Sequence, residues 1–209
     1  DTLRNIIFSN NTGSSVTAWN QIYVENCLFE SENDPSYALD FTGGSGQSHT
    51  IMNATIANYD YGITIQDNDL YILNSVIWTE GEHAIHLGGN SSNNDSTVAY
   101  VRHSLIRGGQ GNVSVDDSNN ETRISWFDNL NTSPVFVDSA SGDYHLSDLS
   151  PCISHGRSNI GIDGTDFQAP DKDLDGNLRP NPALTFPDIG VYESDNGVNP
   201  DYNGPVWYV

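Results

Sequence analysis

The sequence predicts an all-β protein: a right-handed parallel β-helix, or solenoid, of about five to six coils closed by a loop-rich C-terminal segment. Three observations carry this. A seven-residue segment centred on asparagine recurs through the first half, an alternating strand follows each copy, and no stretch sustains a helical period.

The copies are Thr2–Phe8, Tyr23–Phe29, Thr50–Ile56, Tyr71–Ile77 and Tyr100–Ile106, aligned without gaps on Asn5, Asn26, Asn53, Asn74 and His103. The steps between these centres are 21, 27, 21 and 29 residues. Two places before the centre every copy is apolar (Leu3, Val24, Ile51, Ile72, Val101), and so is every copy three places after it (Phe8, Phe29, Ile56, Ile77, Ile106). Those columns point into a core. A repeated amide between them fits a bend between two strands, because asparagine tolerates the left-handed backbone region and can bond the equivalent amide one coil above or below. Asn5, Asn26, Asn53, Asn74 and His103 are therefore expected to form a structural ladder.

A second strand follows each first one: Val16–Trp19, Ala38–Phe41, Gly62–Ile65, Ala84–Leu87 and Asn112–Val115. Each alternates, so one face is wet. Coils this short with no helix cannot close the crossovers of an α/β sheet. A β-sandwich would not repeat one asparagine at a fixed place. An uncovered first coil exposes apolar rungs and strand edges, so upstream coils or a neighbouring chain are expected before Asp1, and the chain is expected to be part of a larger protein.

Composition narrows the partners. Seven Lys and Arg against 28 Asp and Glu give a formal net charge of -21, which disfavours nucleic acid and anionic membrane surfaces. No apolar run approaches the about 18 residues of a membrane span. Cys27 and Cys152 lack a spacing that supports a disulfide, and read as small buried side chains. Sequons begin at Asn10, Asn90, Asn112 and Asn120.

At the C-terminal side stand Ser133–Asp138, Gly142–Leu146, Ser150–Ile153, Asp173–Pro180 and Asp188–Glu193. With the asparagine repeat, these segments make the chain resemble secreted bacterial β-helix proteins of the pectate-lyase-like superfamily, in the part that closes the helix before a surface anchor or sorting region. The resemblance implies an extracellular or cell-surface location. It divides the chain into coils over 1–147, a closing cap over 148–193, and a linker or docking tail over 194–209. It leaves activity open, since that superfamily mixes lyases, hydrolases, adhesins and inert surface proteins.

Candidate chemistry follows from the outward positions. Thr17, Asp40, Thr64, His86 and Ser114 form one outward column, and Asp40, His86, Asp67, Asp116 and Asp117 are the candidates for hydrolysis, which needs paired carboxylates on neighbouring rungs. A lyase would use Arg or Lys, and only Arg102 and Arg107 flank His103. Tyr23, Tyr71 and Tyr100, three places before the centres, are candidates for a glycan platform, the alternative being that they cover the sheet beneath a long loop. Asp171, Asp173 and Asp175 with Gly176 have the spacing of a calcium loop, without the acid at its twelfth position, so a looser structural Ca²⁺ site completed by Asp163, Asp166 or Asp188 is expected. The expected function is a structural or adhesive surface module that binds glycan, with polysaccharide or neighbouring chains as partners. The alternatives are a carbohydrate-active enzyme, either polysaccharide hydrolase or lyase, and a subunit of an extracellular fibre.

Overall fold

The computed structural model describes residues 1–81, 83–88, 97–116 and 123–197, and the backbone alone for 32–35. Asp117, the Asn90 and Asn120 sequons and the chain beyond residue 197 lie outside these. The described chain is a parallel β-solenoid with three walls. The first wall is a six-stranded sheet: Thr2–Arg4, Tyr23–Glu25, Ser48–Met52, Asp69–Leu73, Val98–Arg102 and Arg123–Phe127. The second and third walls belong to one eight-stranded sheet, because Leu28–Phe41 and Thr55–Gln66 each run through both walls. Only the first wall receives a sixth strand. The described chain is thus the parallel β-solenoid that the repeat predicts, with about four turns.

The register matches the repeat alignment. Leu3 pairs with Val24, Val24 with Ile51, Ile72 with Val101, and Phe29 with Ile56. Between Phe8 and Ile106 these two columns are almost wholly buried, and Phe8 stacks on Phe29 at 4.7 Å. The core also holds His49, which is fully buried, lies parallel to Phe41 at 4.4 Å, and has neither ring nitrogen hydrogen-bonded.

Asn5, Asn26, Asn53, Asn74 and His103 all take the left-handed conformation, with φ between 48° and 56°. They form the corner between first and second walls. Asn26 donates to Asn5 Oδ1 at 3.2 Å, and Asn74 donates to Asn53 Oδ1 at 3.4 Å. The ladder does not run unbroken, because its remaining bonds go sideways. Asn26 donates to the Lys172 carbonyl at 2.5 Å, Asn53 to the Asp188 carbonyl at 3.2 Å, and Asn74 to the Arg157 carbonyl at 2.8 Å. Each partner belongs to the closing segment, which lies along the corner of the solenoid.

That segment is pinned by a buried ionic group. Arg179 and Glu193, with fully buried side chains, meet at 3.0 Å. Arg179 also donates to the carbonyls of Asp188, Gly190 and Val191, and Glu193 accepts from the backbone N–H groups of Asn181 and Asp188. Burial pushes Glu193 up to about 7 and Asp188 up to about 6, while Arg179 pulls both the other way, joined by the Asn181 and Asp188 N–H groups at Glu193 and by the Ser154 and Ser194 N–H groups at Asp188. Breaking such a pair strands a charge, which costs about 3 to 5 kcal/mol. Cys27 and Cys152 are both free and buried.

Two stability outcomes are expected. Asn74→Ala removes the bonds to Arg157 and Asn53 and puts a Cβ-bearing residue without an amide in the left-handed region, so chemical denaturation should show a loss of about 4 kcal/mol. Asn74→Gly should recover about 1 kcal/mol of it by relieving the backbone. The His49 pKa is drawn down to about 4 by burial. Its contribution is intact above the unfolded value near 6.5 and is lost as pH falls towards about 4, by about 3 kcal/mol in total. Acid titration of His49→Leu against the parent chain should lack that loss.

Candidate functional site

The outward column predicted from the sequence exists. Thr17 pairs with Asp40, Asp40 with Thr64, Thr64 with His86, and His86 with Ser114. His86 Nδ1 lies 3.2 Å from Ser114 Oγ, and Asp40 Oδ1 accepts from the backbone and hydroxyl of Thr42. Two rung spacings separate Asp40 from His86, about 10 Å. Asp116 stands three rungs from Asp40 and two residues further along the strand, about 16 Å away by strand geometry. Asp67 sits beyond the strand end in a left-handed turn. Paired carboxylates for glycoside hydrolysis stand about 5 to 9.5 Å apart. The column brings no such pair together.

Tyr23, Tyr71 and Tyr100 are aligned as the repeat requires, and Tyr71 stacks on Tyr100 at 4.8 Å. They are half-buried. The hairpin Asn159–Ile162 and Thr165–Gln168 lies over them, packing Ile160, Ile162 and Phe167 against the column, with Phe167 at 4.9 Å from Tyr71. Tyr100 donates to Asp163 in the hairpin turn at 2.7 Å, and that bond raises its phenol to about 12. Of the two sequence readings of this column, the structure has the covering one.

The acidic loop is occupied by the protein's own donors. Asp173 is buried and accepts from the backbone and amide of Asn177 and from the Glu193 backbone. Asp175 instead meets His145 Nε2 at 2.8 Å, while Asp143 meets His145 Nδ1 at 2.6 Å. Asp171 is exposed. Asp188 accepts from the Ser154 and Ser194 backbones. Among the described residues no three His, Cys, Asp or Glu side chains converge as a cation site.

A different group of residues does converge. Arg102, His103, Phe127, Asp128, Arg157, Asn159, Ile160 and Gly161 line a cleft of about 430 Å³ between the last two rungs and the closing segment. Asp128 is the sixth corner residue, 25 positions after His103 and left-handed with φ 51°. Its carboxylate lies 3.0 Å from His103 Nδ1, 3.3 Å from Arg157 and 3.7 Å from His155 Nε2. Burial lowers the His103 pKa, Arg157 acts in the same direction, and Asp128 opposes both. Arg102 donates to the Ser125 carbonyl and hydroxyl, both at 2.6 Å, and stands over the exposed Phe127 ring.

No family model, curated protein or solved structure matches this chain. The cleft must be read from its own chemistry. Its lining has one carboxylate, two guanidinium groups and one imidazole, with His155 close to Asp128, so it lacks the paired acids of a hydrolase. Arg102 stands beside His103 within the repeat, whereas Arg157 comes from a loop about fifty positions later and has no repeat to mark it. Arg107, the other candidate beside His103, points elsewhere: it pairs with Glu80, bonds the Thr79 carbonyl and lies over Trp78. Asp128 was findable, since its spacing from His103 falls within the range of the earlier steps.

The Asp143, His145 and Asp175 contact gives a measurable outcome. Burial lowers the His145 pKa, but hydrogen bonds to Asp175 and Asp143 outweigh it and the net shift is upward. The contact is fully stabilising below the unfolded value near 6.5 and weakens as pH rises through the raised folded value. Proton NMR should place the His145 titration above 6.5, and Asp175→Asn should bring it down.

Proposed function

We propose that this chain is an extracellular or cell-surface β-helix module with a structural and adhesive role that binds glycan on its outer face. The supporting observation is an aromatic group beside the outward column. The partly exposed rings of Tyr37 and Tyr61 lie 5.0 Å apart, and His86 lies 6.3 Å from Tyr37. Asp40 and Ser114 sit on the same face, and Thr64, between Asp40 and His86, is buried. Pyranose rings present C–H faces to aromatic rings and hydroxyls to flanking carboxylate and hydroxyl groups, and such a face supplies both. It takes the place of the Tyr23, Tyr71 and Tyr100 column, which the hairpin covers.

The separation of Asp40 from Asp116 favours binding over hydrolysis. A net charge of -21 favours neutral sugar over a polyanion on this acidic face. Among the described residues no helix is long and apolar enough to cross a membrane.

Affinity electrophoresis through gels containing neutral polysaccharides is the test. Retardation by at least one of them is expected, weakened about tenfold by Tyr37→Ala or Tyr61→Ala, as loss of one stacking contact implies. New reducing ends that vanish with Asp40→Asn would replace this reading with an enzyme. No retardation across the panel would remove glycan binding.

A further inference from the structure

We propose that the cleft between Arg102 and Arg157 binds a tetrahedral oxyanion, the sulfate or phosphate group of a monoester. The site is separate from the Tyr37 and Tyr61 face, and the inference stands whether or not that face binds sugar. Its first support is charge placement. The chain has only seven Lys and Arg, and two of them line this one cleft with two histidines close by. Arg4, Arg107 and Arg179 are each matched to a glutamate. Here Asp128 is shared among Arg157, His103 and His155 while Asp163 acts on Arg102 from the hairpin, so the two guanidinium groups are balanced by two carboxylates and the cleft turns positive as its imidazoles take up protons.

The second support is direction. Arg102 comes from the first wall of the solenoid, Arg157 from the loop before the covering hairpin, and His103 from the corner between walls. Donors arriving from several sides suit a tetrahedral group with an acceptor on each face, whereas a planar carboxylate is satisfied by one guanidinium fork. Both guanidinium groups are held: Arg102 by Ser125, and Arg157 by the His155 and Gly156 carbonyls with its plane over Phe186 at 4.3 Å. Held groups lose little further freedom on binding. Phe127, 59% exposed at the rim, offers an apolar surface for the carbon skeleton of the ester.

The third support is the state of the imidazoles. His155 Nε2 is buried without a hydrogen bond. His103 faces Asp128, His155 and Arg157, with Arg102 beside it on the chain and Asp163 acting on Arg102 from the hairpin. An entering anion adds negative charge to this set and favours imidazolium, so binding takes up a proton.

The test is calorimetric titration of the whole chain at constant ionic strength with inorganic sulfate, inorganic phosphate and acetate. Saturable binding of sulfate or phosphate with a Kd near or below about 1 mM is expected, stronger at a pH of about 5.5 than about 7.5. Whichever anion binds more tightly identifies the ester. Arg102→Gln, checked for folding by circular dichroism, should weaken binding about tenfold. His103→Asn restores the residue of the other corners, keeps the bend, and should flatten the pH dependence. Acetate binding as tightly as sulfate and phosphate, unchanged affinity in Arg102→Gln, or no saturation with either tetrahedral anion would each overturn the proposal.

Discussion

The corner between the first and second walls governs the rest of the molecule. Its φ near +50° excludes most residues, and asparagine meets the requirement with a side chain that still has bonds to give. At Asn26, Asn53 and Asn74 those bonds reach the closing segment, so one residue type both turns the strand and fastens the cap. Gly190 shows how close the two parts come: its backbone N–H donates to the Asn74 carbonyl at 2.8 Å, and a Cβ there would lie 3.0 Å from Thr55 Oγ1. Where the corner changes to His103 and Asp128, the closing segment no longer receives an amide. A charged cleft opens there instead.

The solenoid was legible because its physics is periodic. Val24, Ile51 and Ile72 repeat at one place since each must fill the same slot in the core, and the outward Asp40 and His86 follow from alternation. The last rung lacks the amide signature because Asp128 takes that place, although Ile124 and Trp126 keep the inward pattern. The closing segment is aperiodic. That the hairpin at Ile160 and Phe167 would lie over the tyrosines, or that Arg157 would meet Asp128, depends on long-range packing with no local signature. In the acidic loop the spacing of Asp171, Asp173 and Asp175 was visible, but the partners were not: Asp173 accepts from Asn177 and Glu193, and Asp175 turns to His145.

Scarce cations give this acidic chain much of its internal organisation. Arg179 holds carbonyls and a glutamate beneath the cap, Arg4 holds Glu25 at the first rungs, and Arg107 clasps Glu80. Lysine, with one compact charge, would satisfy fewer of the acceptors around Arg179, which span three carbonyls and a carboxylate. Exposed acids elsewhere repel one another and keep the surface hydrated.

Repeat solenoids whose rungs touch only their neighbours loosen piecemeal from either end. Here the closing segment runs beside the stack and is tied to the second, third and fourth corners at once, so it acts as a splint. Opening one of those rungs strains the tie to the others. The solenoid therefore gains the all-or-none character of a globular domain from a strip of chain that contributes little to its walls, and a force along its axis would be shared across those rungs.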